Sequence, residues 1–235
     1  MNLLTVLEVL QHFVGVFKPE NELAPESFNN LLGIANLKHF KRKIGLPEEY
    51  RPGMPLPSQI LDITQKISQD LRPFRFLMGD STNPPLIVNA SGEANIPTNM
   101  YYPSSMSFKY IKNAITRIRP VNIVTDSQWD ELAGHSIKQP DKRNPIANFQ
   151  ANYIRFLPMD VQFIGFVYYR YPTDPHFAYT STKGYVEYDA TLSVQLEWDD
   201  INIVDIISII LFDLGISVGR GDIVQIADKF KKEGV

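Results

Sequence analysis

Hydrophobic positions recur with a helical period over the first part of the chain. Residues 2–17 carry apolar side chains at 3, 6, 7, 10, 13, 14 and 17, the stripe of a helix that buries one face. A second helix is predicted for residues 25–44, because Pro25 suits a first helical turn and Gly45 is a stop signal. A third helix is expected from about Pro57 to Leu71.

The period changes to two from about residue 74 to residue 198. The segments "PLIVNA", "YIRFLP" and "VQFIGFVYYRY" are rich in β-branched and aromatic residues and predict strands. The segment "YDATLSVQLEW" shows the most regular alternation of apolar and polar residues and predicts an antiparallel strand with one solvent-exposed face. A short helix is expected within this region at "TDSQWDELAGHSI", with Thr125 or Asp126 as its N-cap.

The C-terminal part returns to a helical pattern that is apolar on nearly every side. Helices are predicted for residues 200–214 and 222–232, with Gly215 as the C-cap of the first. A helix that is apolar all round must be buried. We expect the N-terminal helices and a neighbouring copy of the chain to bury it, which makes the following residues candidates for a subunit interface: Ile206, Ile207 and Ile210.

The order of these elements predicts an α+β fold. The N- and C-terminal helices are expected to pack as a bundle, with an inserted, mainly antiparallel β domain. The expected boundaries are 1–75 and 199–235 for the helical domain and 76–198 for the β domain.

Composition excludes several kinds of chemistry. The 235 residues include no cysteine, so disulfides, thiolate metal sites and a cysteine nucleophile are excluded. The four histidines lack the spacing of a helical metal pair, and no G-x-S-x-G elbow occurs. The net charge of −3 argues against a chain that coats nucleic acid. The apolar C-terminal segment is too short for a membrane span and contains Asp205 and Asp213.

One cationic cluster has a regular spacing. Within "LKHFKRK", Lys38, Lys41 and Arg42 fall at i, i+3 and i+4 on one face of the second predicted helix. They could contact a phosphate backbone or an acidic partner. The favoured interpretation is a solvated helix end, where cations suit the negative end of the helix dipole.

Three stretches resemble ring-forming neck and tail proteins of crAss-like tailed bacteriophages, a portal-adaptor-like group. They are "APESFNNLLGIANLKHF", "RPVNIVTDSQWDELAGHSIKQPDKRNPIA", and "VEYDATLSVQLEWDDINIVDIISIILFDLGI" with the trailing "DIVQIADKFKKEG". The resemblance implies a virion component, made in the host cytoplasm, that forms a homo-oligomeric ring joining the portal to the tail. It implies adjacent ring proteins as partners, passage of DNA without sequence specificity, and neither catalysis nor a cofactor. Such rings are commonly twelve-fold.

Two other functions stay open. A soluble binding module with a β-sandwich would use an aromatic groove, for which Tyr101, Tyr102, Tyr168 and Tyr169 are the available residues. A hydrolase would need a concave cluster of polar residues with shifted pKa values. In the ring hypothesis, the proline-stiffened tip formed by residues 173–185 is expected to dock on a neighbouring ring.

Overall fold

The chain is mixed α+β and divides into two units. In a computed structural model, the described residues are 1–17, 23–44, 68–112, 115–135, 139–182 and 185–217. The helical unit comprises Met1–Pro73 and Pro172–Val235, and the sheet unit comprises Phe74–Tyr171. The structure thus groups residues 172–198 with the terminal helices, whereas the sequence analysis placed them in the β domain.

Three helices of the helical unit are described: α1 (Leu3–Phe17), α2 (Pro25–Ile44) and α4 (Asp200–Ser217). The stripe predicted for α1 is buried at its N-terminal half, where Leu3, Val6, Leu7 and Leu10 are all at most 5% exposed. Both predicted bounds of α2 are confirmed. Residues 57–67 and 218–235, which hold most of the third predicted helix and all of the last, lie outside the described residues.

Helix α4 is longer than predicted. It continues through Gly215 to Ser217, so the prediction of a C-cap at Gly215 was wrong. Gly215 is buried within the helix. Local sequence favours a stop at glycine because glycine loses the most backbone entropy in a helix. Burial of an apolar helix offsets that local cost of about 1 kcal/mol.

The strand predicted for "YDATLSVQLEW" does not form. Only Tyr188 belongs to a strand, and residues 190–192 form a turn. The carboxylate of Asp189 accepts hydrogen bonds from the backbone N–H groups of Thr191 (2.8 Å) and Leu192 (3.2 Å). A short acidic side chain that binds the following N–H groups favours a turn over a strand, and this local chemistry overrides the alternating pattern.

The described residues of the sheet unit form eight strands, β1–β8. Their bounds are β1 Arg75–Met78, β2 Leu86–Ile87, β3 Glu93–Asn95, β4 Met100–Lys112, β5 Ile115–Ile123, β6 Ile146–Phe149, β7 Tyr153–Leu157 and β8 Phe163–Arg170. The order is β1-β8-β4-β5-β6-β7-β3, with β2 also paired to β8. All pairs are antiparallel except β5 with β6. A separate hairpin, β9 (Tyr179–Thr182) with β10 (Tyr185–Tyr188), belongs to the helical unit.

One face of the sheet carries the core of its unit. Alternate residues of the long strands are buried there, as the period of two requires. The cluster consists of Leu86, Val88, Ala94, Met106, Phe108, Val121, Ala147, Ile154, Phe156, Val161, Ile164, Phe166 and Tyr168.

The predicted short helix is confirmed as α3 (Asp126–Gly134), with Thr125 as its N-cap. The backbone N–H of Thr125 donates to Oε1 of Gln128 (3.2 Å), which satisfies a donor at the helix start. On this helix, Trp129 is buried, and the guanidinium of Arg155 lies 4.4 Å from its ring centroid.

Candidate interaction surfaces

The cationic cluster on α2 is partly neutralised within the chain. Nζ of Lys38 lies 3.0 and 2.8 Å from the two carboxylate oxygens of Asp213 on α4. Nζ of Lys43 lies 2.8 Å from Asp70. Lys41 and Arg42 are exposed. The structure therefore separates the three candidate residues: Lys38 joins two helices, and Lys41 and Arg42 remain available to a partner.

The three isoleucines proposed for a subunit interface lie inside the helical unit. Ile206 and Ile210 are fully buried, and Ile207 is 7% exposed. These side chains pack within their own chain and do not form an accessible surface. Among the described side chains of α4, the exposed apolar ones are instead Ile201, which is 74% exposed, and Phe212, which is 38% exposed.

A buried polar cluster joins α2 to α4 and to the segment before α4. Nε2 of His39 lies 3.3 Å from Oδ1 of Asn202, and the imidazole meets the ring of Trp198 edge-on, 4.6 Å between centroids. The indole N–H of Trp198 donates to Oδ1 of Asn36 (2.7 Å). Burial lowers the pKa of His39 to about 4, and Lys43 acts in the same direction, whereas Asp205 opposes the shift. His39 is therefore neutral at pH 7 and serves packing.

The tip expected at residues 173–185 is part of the helical unit rather than a free loop. Phe177 is buried, and its ring packs edge-on against Phe28 of α2, 5.6 Å between centroids. Asn29 binds the backbone of Phe177 twice: its Nδ2 donates to the carbonyl oxygen (3.1 Å), and its Oδ1 accepts from the N–H (2.7 Å). This arrangement argues against a docking role for the whole segment.

Exposed apolar side chains occur on both units. On α2, Ile34 (50% exposed) and Leu37 (44% exposed) are three residues apart and so adjacent on the helix surface; we call them the helical patch. In the sheet unit, Ile87 and Phe163 are paired across β2 and β8 and are 67% and 53% exposed; we call them the sheet patch. Ile118 of β5 is 60% exposed. Contiguous exposed apolar surface marks interaction sites.

The four tyrosines considered for a binding groove do not share one accessible surface. Tyr168 is buried and its hydroxyl is 2.9 Å from Oδ1 of Asn99. Tyr169 follows it in β8 and so points to the opposite face of the sheet. Tyr101 packs edge-on against Tyr171, which leaves Tyr102, 55% exposed, as the most accessible member.

A cationic hairpin in the sheet unit was missed by the sequence analysis. Strands β4 and β5 carry Lys109, Lys112, Arg117 and Arg119, and no Asp or Glu occurs between Glu93 and Asp126. The signal was visible in the sequence as a long stretch without acidic residues. It was missed because alternation with apolar residues predicts a strand and does not show which charges remain unpaired.

Neither a protein-family model nor a curated protein matches this chain. The function is therefore inferred from the residues and their geometry. Within the described ranges, no group of three or more His, Asp or Glu side chains is arranged to hold a metal ion. No helix among those residues is long and apolar enough to cross a bilayer.

Proposed function

We propose that the chain is a structural subunit of an oligomeric ring in the neck or tail of a crAss-like bacteriophage, where it joins the portal to the tail. The terminal helices pack as a bundle that forms the core of the ring. The contacts between α4 and both α1 and α2 support the bundle, as do the His39–Asn202 and Lys38–Asp213 pairs.

The observation that supports assembly is that apolar side chains are exposed in both the helical unit and the sheet unit. A closed ring needs a heterologous interface, in which one surface of each copy meets a different surface of the next. The helical patch (Ile34, Leu37) and the sheet patch (Ile87, Phe163) are two such surfaces of different composition. In this proposal the helical patch of one subunit meets the sheet patch of its neighbour.

The first test is the mass of the full-length protein in solution, measured by light scattering and followed by negative-stain imaging. The expected result is a closed ring with a mass many times that of the 26.8 kDa chain, alone or with the adjoining ring protein. A monomer under both conditions would overturn the proposal.

A second test examines the two surfaces separately. Leu37→Asp and Phe163→Asp each place a charge in one patch, and each variant alone should fail to form rings. When the two variants are mixed, they should form a heterodimer, because the intact sheet patch of Leu37→Asp can meet the intact helical patch of Phe163→Asp. Dimers formed by either variant alone would indicate a symmetric interface and overturn the head-to-tail arrangement.

A further inference from the structure

The β4–β5 hairpin concentrates positive charge in a chain whose net charge is −3. Its four cations are Lys109, Lys112, Arg117 and Arg119, and no acidic residue lies between Glu93 and Asp126. Charge of one sign gathered on a single element creates a local potential opposite to that of the whole chain. The net charge therefore does not describe this part of the surface.

The distal part of the hairpin is a two-stranded ribbon. Pairing of β4 with β8 extends no further than Phe108, and β5 pairs with β6 only at Asn122 and Ile123. Between Lys109 and Ile118, the two strands pair with each other and with no other described strand. In this part of the hairpin, the side chains of Lys109, Arg117 and Ile118 are exposed, whereas Tyr110 packs against the core of the sheet unit.

The cations lie on both faces of this ribbon. Lys109 stands opposite Ile118, whereas Arg117 stands opposite Tyr110, and residues paired in register share a face. Lys109 and Arg117 are both exposed. On the face of Arg117, Arg119 follows two residues later, about 6.8 Å further along the strand. The Nε of Arg119 is buried without a hydrogen-bond partner in the described part of the chain.

Lys109 and the β5 arginines differ from two of the α2 cations in having no ion-pair partner among the described residues. Lys38 and Lys43 of α2 are paired with Asp213 and Asp70. The ion pairs of the described residues include neither Lys109 nor an arginine of β5. The charges of Lys109 and Arg117 are therefore not compensated within the described part of the chain, whereas those of Lys38 and Lys43 are.

We propose that the hairpin binds the phosphate backbone of double-stranded DNA through Lys109 and Arg117. A two-stranded ribbon fits the major groove, about 12 Å wide, where phosphates flank it on both sides. This matches cations on both faces, whereas an acidic protein surface would cover one face only. Recognition is independent of base sequence because the contacts are to phosphate. The inference rests on the proposed function, in which DNA passes through the ring.

The test compares two variants with the same loss of charge. Lys109→Gln/Arg117→Gln removes two exposed cations from the ribbon, and Lys41→Gln/Arg42→Gln removes two from α2. Fluorescence anisotropy of a short labelled DNA duplex is measured with full-length protein over a series of salt concentrations. Circular dichroism checks folding, and light scattering on the same samples records the mass.

The wild-type protein should bind the duplex with an affinity that falls as salt rises. The hairpin variant should reduce the slope of log K against log salt by about 1.8, since each phosphate contact contributes about 0.9. The α2 variant should leave the slope unchanged. No binding by wild-type rings, or an unchanged slope for a folded hairpin variant, would overturn the proposal while leaving the ring intact. A hairpin variant that keeps its DNA affinity but loses self-association would assign the hairpin to a second copy of the chain.

Discussion

Nε2 of His39 lies 3.3 Å from Oδ1 of Asn202, and this contact joins α2 to α4 in the interior of the helical unit. The imidazole contacts Trp198 and Asn202 and is buried, so a positive charge there is poorly solvated. The cationic groups Lys43 and Arg42 also disfavour protonation, and Asp205 favours it less strongly than burial opposes it.

This arrangement predicts a loss of stability on acidification. Because the pKa of His39 is about 4 in the folded chain and 6.5 unfolded, the unfolded state binds more protons between these values. The free energy of unfolding should therefore decrease as pH falls from 6.5 to 4, by up to about 3 kcal/mol from this residue. Urea denaturation of wild type and His39→Gln across this range isolates the contribution, and parallel pH profiles would contradict the assignment.

Substitution of Phe177 tests whether the segment around it belongs to the core or is a surface loop. Phe177→Ala removes the ring that packs on Phe28 and should lower the free energy of unfolding by about 3–5 kcal/mol. Leu192→Ala is the matched control, because Leu192 is 70% exposed and its truncation should cost less than about 0.5 kcal/mol. Equal effects in denaturation experiments would show that the segment around Phe177 is not part of the core.

Asn148 should be important for the stability of the sheet unit. Its Nδ2 donates to the carbonyl of Val124 (3.0 Å), and its Oδ1 accepts from Nε of Arg155 (3.0 Å). Asn148→Ala leaves these groups without a partner and should cost about 1–3 kcal/mol. Asn122→Ala, at an exposed position on β5, should be nearly neutral. Thermal denaturation measures both, and a neutral Asn148→Ala would refute the role of this network.

Two isoleucines of α4 allow a direct comparison between a core position and a candidate interface position. Ile207→Asp buries an unpaired charge and should cost about 4 kcal/mol or more, which unfolds a protein of ordinary stability. Ile201→Asp lies at an exposed position and should leave the monomer folded. If α4 borders a subunit contact, Ile201→Asp should weaken self-association measured by sedimentation. Full ring assembly by this variant would place the contact elsewhere.

The sequence by itself determined the elements whose signals are local. The stripe of α1, the bounds of α2, the cap of α3 and the strands β7 and β8 all follow from periodicity, capping residues and β-branched content, which act within a few residues. The α+β class followed from the order of these elements. The failure at "YDATLSVQLEW" is also local in origin, since Asp189 favours a turn that the alternating pattern conceals.

Tertiary structure decided which of the available surfaces are used internally. Ile206 and Ile210 are as apolar as any interface residue, and only packing of α4 shows that their own chain buries them. Lys38 and Arg117 are equally cationic in sequence, but Asp213, far away along the chain, pairs with the first. Burial and ion pairing depend on spatial distances between residues that are far apart in sequence. A pattern along the chain does not contain those distances.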